Sequence, residues 1–128
     1  MILVIIRMKV LGEKRKELSQ TITSLIGSIK EEKGCRSCEF CRDMEDRNEL
    51  YILEEWNTRE NLNSHLKSER FKVLRGAMNL LQDPYEMMVY TVTAEEEKTK
   101  AVGQNGLMTG MTGAGVPSVK PNSERRII

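Results

Sequence analysis

Cys35, Cys38 and Cys41 follow one another at intervals of three, the spacing with which a short loop offers thiolates to an iron–sulfur cluster or a metal. A ferredoxin-type run continues with three more residues, a fourth cysteine and a proline. Here Glu45 and Asp46 stand at those places. A strand over residues 35–42 would also turn Cys35 and Cys41 to one face and Cys38 to the other. Three residues of strand span about 10 Å, beyond the Cα separation of about 7 Å that a disulfide tolerates. The thiols therefore read as small buried apolar groups, with a Cys-dependent metal or redox protein as the rival from another class. His65 is the only histidine, so no histidine cluster is available. It borders Leu62 and Leu66 on an apolar stripe, where a hydrogen bond to a neighbouring sheet would give it a structural role.

The elements that must position these groups are legible as periodicities. Ile2, Val4, Ile6, Met8 and Val10 alternate with Arg7 and Lys9, which predicts a strand over 2–10 with one buried face. Leu18, Ile22, Leu25 and Ile29 recur at helical spacing, and Gly34 follows as a left-handed stop. Residues 35–42 and 49–56 read as a hairpin around the polar loop 43–48. A second helix is expected to run from a cap at Asn57, with Glu60 reaching back, to the break at Asp83-Pro84. Leu62, Leu66, Val73, Ala77 and Leu80 form its stripe, flanked by Phe71, Leu74, Met78 and Leu81. Residues 85–93 then supply a fourth strand. The order βαββαβ predicts a ferredoxin-like α+β domain over residues 1–94, with an antiparallel sheet carrying both helices on one face. A second copy of the chain is the simplest cover for the other face, so a homodimer is expected. There, Arg7 is expected to pair with Glu54 or Glu55.

Residues 95–128 hold five of the nine glycines, two of the three prolines and no aromatic residue. They read as a Gly-rich C-terminal tail or as an arm on a partner subunit. At 128 residues and a net charge of +1, the chain carries no basic surface excess that would argue for nucleic acid or an anionic membrane. Met1-Ile-Leu-Val-Ile-Ile-Arg7 lacks the basic start and cleavage site of a secretory signal, and no run approaches the about 20 apolar residues of a membrane span. With an odd number of cysteines, a reducing, cytoplasmic setting is expected.

Gly34-Cys35 at the head of the second strand, Leu50-Tyr-Ile-Leu-Glu-Glu-Trp56 in the third, and His65-Leu66 with Phe71 on the following helix resemble the antibiotic biosynthesis monooxygenase family. The resemblance covers residues 2–93 and implies a small dimeric α+β barrel. It further implies oxygenation of a phenolic or quinol-like small molecule by dioxygen with no flavin, haem or metal, an ionised phenolate itself passing an electron to dioxygen. A non-catalytic dimeric domain that binds a small ligand would use the same fold. Trp56 and His65 fall at the family's recurrent positions. Trp56 is expected as a pocket wall with an indole N–H donor, and His65 as an acid/base or orienting group, its ordinary pKa lying near about 6.5. Tyr51, Phe71 and Tyr85 are the expected substrate contacts, and Tyr90 is a further candidate phenol. Haem-degrading relatives carry a polar amide in the first strand, where this chain has Val4, Ile5 and Ile6.

Overall fold

The computed structural model describes residues 1–93 and the short strand 124–127. In chain order the elements are β1 (Ile2–Lys9), α1 (Arg15–Lys30), β2 (Cys35–Arg42), β3 (Glu49–Trp56), α2 (Arg59–Leu66), α3 (Glu69–Ala77), β4 (Glu86–Thr91) and β5 (Glu124–Ile127). The strands form one antiparallel sheet in the order β2-β3-β1-β4-β5. The first four are the ferredoxin-like sheet that the sequence predicts. β5 adds backbone pairing to the outer edge of β4, from Glu86↔Ile127 to Val89↔Glu124. The expected tail or arm over 95–128 otherwise lies outside the described residues.

Strand parity sorts the sheet. Ile2, Val4, Ile6 and Met8 of β1 are buried and meet Trp56, Glu54, Ile52 and Leu50 of β3 in register. Leu18, Ile22 and Ile29 of α1, Leu62 of α2 and Leu74 of α3 complete this core. The odd-numbered residues Leu3, Ile5, Tyr51 and Leu53, with Met88 and Tyr90 of β4, occupy the other face and are only half-buried.

Three local departures from the expected elements decide which side chains meet. β2 carries a bulge at its start: Cys35 faces Trp56 while Ser37 faces Glu55, so Arg36 is an extra residue. An inserted residue reverses parity. Cys35 therefore lies on the same face as Cys38, opposite Trp56 and Glu54, and Cys41 lies opposite Tyr51 on the other face. The simple alternation expected for the three thiols fails at that bulge.

The second predicted helix is two helices, broken at Lys67-Ser68. The Ser68 hydroxyl accepts the Phe71 N–H at 3.2 Å and donates to the His65 carbonyl at 2.7 Å, offering the backbone an alternative to a continuous ladder. The apolar phase restarts there, which leaves the predicted stripe residue Val73 52% exposed.

The cap of α2 is Thr58, not Asn57. Its side chain accepts the Asn61 N–H at 3.1 Å, while the Asn57 N–H donates to the Gly34 carbonyl at 2.8 Å. Gly34 turns the chain into β2 at φ 81°, and a Cβ there would stand 2.2 Å from the Asn61 side chain. Both the backbone angle and the approach of α2 require glycine.

Candidate functional site

Glu54 and Trp56 sit two residues apart on β3, so both point toward the helices. Each is essentially sealed from solvent. The Trp56 Nε1–H donates to Glu54 Oε1 at 2.9 Å. His65, 1% exposed, comes down from α2 and stacks on the indole with ring centroids 4.6 Å apart. Phe71 meets the imidazole edge-on at 5.4 Å. On a continuous helix, residues 65 and 71 would point about 120° apart; the Ser68 break brings both into one seam.

The imidazole lies between two carboxylates. Nδ1 is 2.9 Å from Glu32 Oε2, in the turn after α1, and with a carboxylate as partner that nitrogen carries the proton. Nε2 is 3.7 Å from Glu54 Oε1, ion-pair range but too long for a hydrogen bond. Nε2 and Glu54 Oε2 have no hydrogen-bond partner among the described residues. Burial pulls the His65 pKa down, but Glu54 and then Glu32 more than offset it, and the pKa is raised above its ordinary value. The ring therefore holds its charge further into the neutral range than a free histidine.

The thiols adjoin the same carboxylates. Burial, then Glu54 and Glu32, pushes Cys35 up to about 11. Burial and then Glu54 raise Cys38 further. Both stay protonated at neutral pH, which makes them poor nucleophiles and poor ligands until a proton is removed.

The structure brings together Trp56, His65 and Phe71 of the predicted residues. It also fixes the Trp56 N–H, expected to point at a substrate, on Glu54. Tyr51 lies elsewhere: it is on the open face, where its hydroxyl donates to Glu49 Oε1 at 2.9 Å. Arg7 pairs with Glu49 there, not with Glu54 or Glu55, because Glu54 belongs to the opposite face and Glu55 is held by the Ser37 hydroxyl at 2.7 Å. Tyr85 is buried beside a cleft of ≈ 330 Å³ that Arg75, Met78 and Gln82 also line. That cleft approaches the cluster through Arg75, whose guanidinium lies 5.6 Å from the centre of the Phe71 ring. A larger groove of ≈ 570 Å³ between α1 and the end of β2, lined by Arg15, Phe40 and Arg42, touches none of these residues.

Sequence reasoning missed Glu54 and Glu32 as members of the site. Glu54 had a signal, since it shares the strand parity of Trp56. Glu32 had none, because a turn residue reaches His65 only through the tertiary fold.

The sequence model of a family described as antibiotic biosynthesis monooxygenase matches residues 1–77. No curated protein matches the chain. Among solved structures, a conserved protein from Methanosarcina mazei Go1 is similar at 29% identity, over 70% of this chain and 89% of that one, with a TM-score of 0.67. A Deinococcus radiodurans protein that carries the family's name is 16% identical over 78% of this chain and 100% of its own, with a TM-score of 0.70. One from Nitrosomonas europaea is 15% identical over 73% of this chain and 100% of its own, at 0.69. These last two share the fold. No helix among the described residues is long and apolar enough to cross a membrane.

Proposed function

Since this chain belongs to the antibiotic biosynthesis monooxygenase family, we propose that it oxygenates a phenolic or quinol-like small molecule with dioxygen, using no cofactor, at the seam between β3 and the α2–α3 pair. The observation that carries the reading is the buried array Glu32–His65–Glu54–Trp56. Two of its polar atoms, His65 Nε2 and Glu54 Oε2, lack hydrogen-bond partners among the described residues. Burying carboxylates and an imidazole this way costs stability, and groups so arranged are concentrated at functional sites.

In this reading Glu54 Oε2 accepts the phenolic proton, and the neutral form of His65, with its proton on Nδ1, stands ready to take it on at Nε2. The phenolate passes one electron to dioxygen. The two radicals join at a ring carbon that bears hydrogen, and the peroxide so formed takes up a proton. Loss of water then leaves a carbonyl. A phenol plus dioxygen gives a quinone plus water, so the substrate supplies all four electrons and no external reductant is required. The cleft lined by Tyr85 and Arg75 is the access route, with Phe71 standing between it and His65. Two copies pair through the open sheet face, residues 1–94 form the oxygenase domain, and 95–128 is a tail or arm, in a cytoplasmic protein.

Oxygen-electrode assays over a panel of hydroquinones and anthrone-like phenols test this. Uptake without added cofactor, lost in Glu54→Gln while the variant stays folded, is the expected result. Unchanged rates in Glu54→Gln would remove that carboxylate from the mechanism. The cleft beside Tyr85, whose lining includes neither Glu54 nor His65, favours a second reading in which it binds a small aromatic ligand without turning it over. Binding with no oxygen uptake on any phenol would establish that one.

A further inference from the structure

We infer that Glu32, His65 and Glu54 form a proton relay that joins bulk solvent to the buried end of the site, with Glu32 as its outer terminus and positioning residue. The relay deepens the oxygenase reading and rests on it for its purpose, though not for its test.

Of the three groups only the outer one meets solvent. The Glu32 side chain is 12% exposed, that of His65 0% and that of Glu54 1%. They come from the turn after α1, from α2 and from β3, so no single element dictates their alignment. The ring uses one nitrogen toward each carboxylate, at 2.9 Å on the outer side and 3.7 Å on the inner. The rings of Trp56 and Phe71 pack against the imidazole, and the two carboxylates also act on the protonated thiols of Cys35 and Cys38, as does Lys30. A histidine needed only for packing would be satisfied by Glu32 alone. Accepting the Trp56 N–H occupies only Oε1 of Glu54; its Oε2 and the ring's Nε2 are left unpartnered among the described residues.

The proton count of the proposed reaction matches such a device. One proton must leave when the phenol ionises, and one must return when the peroxide forms. In the outward step Glu54 gives its proton to Nε2, while the Nδ1 proton passes to Glu32 and on to water. That leaves the ring with its proton on Nε2. In the inward step Nε2 gives that proton up as Glu32 reprotonates Nδ1, and the starting tautomer is restored. Two opposite transfers per turnover thus reset the imidazole without a ring flip. Glu54 touches the reacting group; Glu32 acts only through His65.

His65 is the sole histidine and Trp56 the sole tryptophan, so both report without ambiguity. Nitrogen-15 NMR of the labelled ring gives its tautomer, pKa and N–H exchange, and fluorescence of the stacked indole follows its protonation. In the wild type the neutral ring is expected with its proton on Nδ1. Glu32→Gln, nearly isosteric and on a surface turn, is expected to lower the ring pKa and slow N–H exchange at least tenfold. Glu32→Asp should restore part of both. Where phenol oxidation is measurable, Glu32→Gln should lower kcat more than KM and enlarge the solvent isotope effect. A wild-type ring protonated on Nε2, or exchange that follows global unfolding, overturns the relay even if the variant does not fold. So does a folded Glu32→Gln with unaltered pKa and exchange. The expected NMR changes without oxygen uptake on any phenol would support the relay and sink only the oxygenase reading.

Discussion

The two faces of the sheet carry the same chemistry under opposite conditions. On the open face a β3 carboxylate, Glu49, receives Arg7 and the Tyr51 hydroxyl, with the Arg7 side chain 49% exposed. On the covered face another β3 carboxylate, Glu54, receives the Trp56 N–H and lies beside His65 with both side chains sealed. Five positions separate the two glutamates, an odd number, so strand parity alone sends them to opposite sides. In the single chain, water shares the Arg7–Glu49 contact and makes it worth little. Its absence around Glu54 and His65 makes each group depend on the other, because an unpaired charge there has no solvent to turn to.

Breaking the covered side should have the largest effect. His65→Ala leaves two carboxylates facing a cavity and should cost about 3–5 kcal/mol in urea-induced unfolding, as removal of one partner of a buried pair does. A loss below about 1 kcal/mol would mean that the cluster is hydrated in solution. Trp56→Phe keeps most of the ring but removes the donor to Glu54. Losing a buried hydrogen bond to a charged group predicts about 1.5–3 kcal/mol, and Trp56→Phe should also alter the His65 titration, which a pure packing change would not.

The pH dependence sharpens the contrast further. The His65 pKa is raised in the folded chain, so its contribution is complete below the unfolded value of about 6.5 and is lost as pH rises through the folded value. Stability should therefore fall across the neutral to mildly alkaline range, and His65→Gln should flatten that slope. Persistence of the slope in His65→Gln would assign it to another group. On the open face, Glu49→Gln should shift unfolding of the dissociated chain, measured at high dilution, by less than about 1 kcal/mol, with the difference shrinking further in high salt. A larger effect that depends on protein concentration would indicate that the pair is buried between subunits.

Much of the architecture was legible because each element writes its own period. The alternation of β1, the stripe of α1 and the β2–β3 loop at 43–48 require only that apolar residues face a common core, and the element order then leaves one ferredoxin-like arrangement. The second helix was half legible. Its apolar spacing marks it as helical, but the Ser68 hydroxyl competes with the ladder in a way that periodicity does not register.

The sequence by itself determined which residues face inward along β1 and β3, and the family resemblance it carries singled out Trp56 and His65. Parity also placed Glu54 beside Trp56. The tertiary structure decided the rest, through phase changes and long-range approaches. One extra residue at Arg36 moved Cys35 across the sheet. One break at Lys67-Ser68 aligned His65 with Phe71. Packing of α2 over the Gly34 turn brought Glu32 to an imidazole thirty-three residues away. Local patterns fix the face a side chain takes within its element. The partner it meets there depends on how separate elements are offset against one another, and that offset is set by the packing of the whole core.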